Sequence, residues 1–186
     1  AGGLVVATMP GFVGAEMPLG SLQGLSRSRG VSWVQSPALV YPEAVHTSQG
    51  VALMDADDWH AAGYRGEGVD VAVVDSGFKG RVAARNNGDL PNPLLTKNYC
   101  DAGLDGGSGG TVHGTAVAEV VYDIAPKADL WLICIDNSLD LAKAITWMGQ
   151  NGIDVFNASL GFIAAYPGDG TGQLKTYSNK AEKSGI

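Results

Sequence analysis

The feature that most constrains this chain is a short run of apolar, β-branched residues, Val69–Val74, ended by the turn tripeptide Asp75-Ser76-Gly77. Near-continuous apolar character over so few residues is the mark of a strand buried on both faces, which requires a parallel sheet covered by helices. The rest of the chain supplies the same alternation. Ala56–Gly63 reads as a short helix, Leu94–Tyr99 as a second strand and Val112–Asp123 as a helix whose continuation Pro126 blocks. Asp129–Ile135 is another buried strand, Leu139–Asn151 a helix stopped at Gly152, Ile153–Phe156 a strand, and Leu174–Lys183 a helix stopped at Gly185. Between Ser76 and Gly88 the sequence reads as polar loop, and Asp101–Gly110 and Gly168–Gly172 as glycine-rich loops. Strands alternating with helices predict an α/β fold: a parallel sheet with helices on both faces.

Residues 1–47 follow a different pattern. Leu4–Ala7 could form a strand, and then Pro10, Gly11, Gly14, Pro18 and Gly20 break any helix. Leu19, Leu22 and Leu25 recur every three residues, while Ser36-Pro37 and Tyr41-Pro42 favour an extended path. The segment is read as a tail or accessory segment preceding the domain that occupies residues 48–186, with a strand–helix–strand unit as the alternative its periodicity allows.

Charge and length narrow the function. The 186 residues carry a formal net charge of -7, with no cluster of Lys and Arg beyond Arg27-Ser28-Arg29, so nucleic-acid binding is not expected. No apolar span is long enough for a transmembrane helix. Gly63, Gly66 and Gly68 precede the first strand rather than follow it, which argues against a dinucleotide fingerprint. No Cys/His spacing suggests zinc, and no other metal or cofactor can be identified from the residues.

Two residues stand where an open α/β sheet gathers its chemistry. Asp75 ends a strand, at the edge where ligands collect; the competing reading is a simple turn cap. His113 opens a helix, immediately before Gly114 and Thr115. A helix N-terminus disfavours imidazolium and leaves the ring able to accept a proton; the competing reading is a surface histidine. His46 and His60 lack such settings and read as ordinary surface residues.

Taken together, Val71-Ala72-Val73-Val74-Asp75-Ser76-Gly77, His113-Gly114-Thr115-Ala116-Val117-Ala118, Ala125-Pro126 and Ser159-Leu160-Gly161 resemble the subtilisin-like serine peptidase (subtilase) family in order, spacing and placement, from about Ser48 to Ile186. The resemblance implies an endopeptidase with an Asp-His-Ser triad, of which Asp75 and His113 supply two members. It implies that Ser159, Leu160 and Gly161 pair with an extended peptide or protein substrate. It makes calcium possible, although no calcium site can be read from these loops, and it places residues 1–47 where the family carries a propeptide or its junction.

The chain departs from the family pattern in three ways. It has no Gly-Thr-Ser motif, and so no nucleophile. The strand that carries the oxyanion asparagine would begin near Ile186, leaving the sheet incomplete at its C-terminal end. The link from Ile135 to Leu139 is too short for the glycine-rich strand that forms the second wall of the family's substrate cleft. A partner fragment bearing the serine is therefore expected, together with inactivity of this chain alone. The alternative is a catalytically inactive peptide- or partner-binding module.

The two cysteines, Cys100 and Cys134, lie at the ends of strands joined by one crossover helix. Neighbouring strands are about 4.8 Å apart, within the range a disulfide spans. A bond there and two separate free thiols are both compatible with the sequence; the bond would fit the secreted, extracellular setting common in the family.

Overall fold

The computed structural model describes residues 3–37, 41–42, 50–106, 110–162, 166–167 and 169–186. His46 and Gly168 lie outside the described residues. In chain order the strands are β1 (Leu4–Met9), β2 (Phe12–Glu16), β3 (Tyr41–Pro42), β4 (Asp70–Asp75), β5 (Leu95–Asn98), β6 (Asp129–Cys134), β7 (Val155–Asn157) and β8 (Leu160–Gly161). The helices are α1 (Leu22–Ser26), α2 (Ala56–Ala61), α3 (Arg81–Asn87), α4 (His113–Ile124), α5 (Ser138–Gln150) and α6 (Gly172–Lys183).

The central sheet is parallel, in the order β5-β6-β4-β7. Because side chains alternate along a strand, β4 and β6 feed two cores. Ala72, Val74, Ile133 and Ile135 pack with Leu141, Ile145 and Met148 of α5 and Tyr177 and Ala181 of α6. Val73, Leu130, Leu132 and Cys134 face the other way, onto Phe78, Ala84 of α3 and Ala118 of α4. The expected parallel sheet with helices on both faces is therefore present, and the expected strands and long helices fall within a residue or two of their predicted bounds.

Three sequence readings need correction. The stretch after Gly80 is helix α3 rather than loop; it ends on Gly88 with φ of 93°, a left-handed C-terminal stop suited to glycine. Only Ala84 of α3 is buried, so the helix has no apolar stripe to announce it. Residues 4–16 form an antiparallel hairpin rather than a lone strand, turning at Pro10-Gly11, with Met9 in the α5–α6 core and Gly14 against Leu139. His60 is part-buried rather than a plain surface residue, its Nε2 lying 2.8 Å from the carbonyl of Ile124.

Cys100 and Cys134 are joined, with Cα atoms 5.5 Å apart. β5 and β6 are neighbours linked through α4, as the crossover argument expects. Asn137 caps α5, its Oδ1 accepting from the backbone N–H groups of Leu139 and Asp140 at 2.8 and 3.3 Å.

Candidate active site at the C-terminal edge of the sheet

β4 delivers Asp75 to the end of the sheet, opposite Cys134 on β6. The side chain is fully buried. Its Oδ1 accepts from the N–H of Ser76 at 2.8 Å, and its Oδ2 lies 2.7 Å from Nδ1 of His113. His113 is the first residue of α4 and is 3% exposed. Its backbone N–H donates to Oγ1 of Thr111 at 3.0 Å. Its Nε2 is buried and has no hydrogen-bond partner among the described residues. The ring thus has one nitrogen held by a carboxylate and the other ready to take or give a proton.

Small residues make this approach possible. The N–H of Gly114 donates to the carbonyl of Gly77 at 3.2 Å, which seats the first turn of α4 on the turn after β4. A Cβ at Gly114 would stand 2.6 Å from that carbonyl oxygen and 2.7 Å from Cβ of Asp75. Thr115, also buried, donates its hydroxyl to the carbonyl of Lys79 at 3.0 Å and fixes the next residue of the helix. The sequence marks this place through the small residues after His113; the anchoring hydroxyl of Thr111 lies outside that pattern and was not singled out.

Burial pushes the Asp75 carboxyl above the ordinary carboxylate value near 3.8, while His113 and the N–H groups of Ser76 and Gly77 pull it back. A carboxyl whose folded pKa is raised contributes stability below its unfolded value, and that contribution is lost as pH rises through the folded value. At neutral pH the native state therefore bears the cost of a buried carboxylate. Asp75→Asn keeps the size and the acceptor for Ser76, so it is expected to raise Tm by about 2–6 °C at pH 8. The gain should disappear below about pH 3.8, where aspartate is protonated in both states. Thermal melts of both chains at the two pH values check it.

Ser159, Leu160 and Gly161 follow β7 on the same edge, since Asn157 is the ladder partner of Val73. The Ser159 hydroxyl donates to Oδ1 of Asn157 at 3.0 Å. Among the described residues no hydrogen bond joins these three to the side chain of Asp75 or His113. Leu160 and Gly161 instead pair antiparallel with Pro42 and Tyr41. The extended path read for Tyr41-Pro42 is present; its partner was not legible in the sequence. Among the described residues no group of three or more His, Cys, Asp or Glu side chains is placed to hold a metal ion.

No family model matches the chain. It is 29% identical over 183 residues to Subtilisin E of Bacillus subtilis (strain 168), an alignment covering 89% of this chain and 45% of that protein. It is 32% identical over 152 residues to Subtilisin DY of Bacillus licheniformis, covering 74% of this chain and 51% of the relative. An alkaline protease of Alkalihalobacillus alcalophilus is 27% identical over 172 residues, covering 83% and 42%. The chain spans about half the length of the curated relatives it matches.

Proposed function

Because this chain belongs to the subtilisin-like serine peptidase family, we propose that it supplies the aspartate and histidine of an endopeptidase whose serine lies on a C-terminal part. The observation that carries the proposal is the buried 2.7 Å contact between Asp75 and Nδ1 of His113, with Nε2 unengaged among the described residues. Asp75 would hold the proton on Nδ1 and stabilise the imidazolium as it forms. Nε2 would take the serine hydroxyl proton as that oxygen attacks the peptide carbonyl, then pass it to the leaving amine. Water would retrace the same path to release the acid.

Ser159, Leu160 and Gly161 would receive an extended peptide as an added strand. The pairing of Tyr41–Pro42 with Leu160–Gly161 supports this role, because it is an extended segment already seated there. It also supports reading residues 1–47 as a propeptide-junction segment that precedes the catalytic domain. The Cys100–Cys134 bond supports an oxidising, secreted setting. No helix among the described residues is long and apolar enough to cross a membrane.

The same β3–β8 pairing favours a second reading, a peptide-binding module without catalysis. Labelling with a fluorophosphonate probe separates the two. The chain alone should not label at a serine, and the chain completed with a serine-bearing C-terminal part should label at that serine and cleave peptides. A completed, folded protein that binds peptide but neither labels nor cleaves would leave the binding module as the function.

A further inference from the structure

We propose that the Cys100–Cys134 bridge is a positioning element for His113, acting through the turn that lies between Cys100 and the start of α4. The inference rests on reading Asp75 and His113 as a catalytic pair. Cys134 is the ladder partner of Asp75, and the N–H of Ile135 donates to the carbonyl of Asp75 at 2.9 Å. The N–H of Tyr99 donates to the carbonyl of Cys134, also at 2.9 Å. Three strands therefore end level, and the bridge ties the outermost of them to the neighbour of the catalytic strand.

From Cys100 the chain does not leave the site. The N–H of Gly103 returns to the carbonyl of Cys100 at 3.2 Å, and Gly106 to that of Gly103 at 2.9 Å. The carbonyl of Leu104 accepts from the N–H of Phe78 at 2.7 Å, three residues past Asp75. At Gly106 an added Cβ would lie 2.8 Å from Cα of Gly110 and 3.4 Å from the carbonyl oxygen of Ser76, so the turn lies hard against the segment after β4. Thr111 then accepts from the N–H of Lys79 through its carbonyl and from the N–H of His113 through its hydroxyl, both at 3.0 Å.

The described part of this loop is thus fastened to the Asp75–Lys79 segment at Leu104 and Thr111. The bridge fixes its start and α4 fixes its end. Both sulfur-bearing residues are buried, in the core that holds Phe78 and Ala118 of α4. Releasing the bridge frees the start of the loop while the ladder of the sheet stays paired. The expected consequence is a looser His113 on an intact fold, which a bridge acting only through the entropy of the unfolded chain would not produce.

The test uses the full chain labelled with 15N-histidine, its signals assigned with a His113→Gln variant among only three histidines. In the oxidised chain the Nδ1 proton shared with Asp75 should be observable and slow to exchange with water. A water-soluble phosphine, itself oxidised to its oxide as the two thiols form, opens the bridge. At a temperature where far-UV circular dichroism is unchanged, exchange of that proton should accelerate by about tenfold or more, reporting local opening. Unchanged exchange in the reduced, folded chain overturns the positioning role. Should the reduced chain unfold, Cys100→Ala/Cys134→Val, which refills the buried site with apolar volume, is measured in its place against the same criterion. If that variant also fails to fold, the bridge belongs to global stability and the proposal falls. A proton already in fast exchange in the oxidised chain would overturn the Asp75–His113 reading itself.

Discussion

With a serine-bearing C-terminal part in place, His113→Ala is expected to lower kcat for peptide hydrolysis by about 10⁶-fold, because the members of a triad act as a unit. The cause is local. Alanine leaves nothing at the position of Nε2 to take the hydroxyl proton, and the barrier to attack rises accordingly. KM should change little, since the role proposed for Leu160 and Gly161 in receiving a peptide does not involve the imidazole. Asp75→Asn is expected to cost less, about 10⁴-fold. Its side-chain amide would donate to Nδ1 and drive the ring proton onto Nε2, the nitrogen that must be free to accept. Steady-state kinetics on the three completed proteins check both. A His113→Ala enzyme within tenfold of the parent would remove His113 from the mechanism. Asp75→Asn thus carries opposite signs, raising Tm while removing activity, as expected where function maintains a buried charge that stability alone would discard.

Gly114→Ala should be strongly damaging for a change of a single methyl. Inside a helix this substitution ordinarily stabilises, by about 1 kcal/mol. Here the new methyl would meet the carbonyl oxygen of Gly77 at 2.6 Å and Cβ and Cγ of Asp75 at 2.7 and 2.9 Å. Neither neighbour can yield cheaply: the first is the acceptor that seats α4, and the second belongs to a central strand paired on both sides. Overpacking of this kind costs about 1–3 kcal/mol. At about 2–4 °C per kcal/mol for a chain of this size, Tm should fall by about 2–12 °C. The displaced helix should also break the 2.7 Å contact between His113 and Asp75. Gly24→Ala is the control: Gly24 lies in α1 with nothing within 4 Å of an added Cβ, and its Tm should hold or rise. A Gly114→Ala chain that melts with the parent would show that α4 is not seated as described.

These residues show what a sequence discloses. Val71–Val74 announced β4 because a strand buried on both faces admits few polar residues. Asp75 and His113 were legible because the ends of a strand and a helix are recognisable, and the two ends share one edge of the sheet. Gly114 was legible as a site of close approach, though not the identity of what it approaches. Helix α3 was missed because Arg81–Asn87 buries only Ala84 and shows no periodicity. The hairpin of residues 4–16 was half seen: Pro10-Gly11 marks a turn, but the strands are held against α5 and α6 by Met9 and Gly14, contacts that no local pattern encodes. The β3–β8 pair is two residues long, and only the distant partner makes it a strand.

The order of strands in the sheet has a consequence for how this chain is made. β4 lies between β6 and β7, and both are encoded after it: Val71 waits for Leu130 on one side and Val155 on the other. On a ribosome working at about 5–20 residues per second, roughly 4–17 s pass between the emergence of Asp70 and that of Asn157. Throughout that interval a strand whose Ala72, Val73 and Val74 end fully buried has at least one unpaired edge, and neighbouring nascent chains on the same message present the same edge. Elongation speed across residues 76–157 therefore decides how long this strand stays open to the wrong partner, and synonymous codons that slow that stretch should lower soluble yield without altering a single side chain.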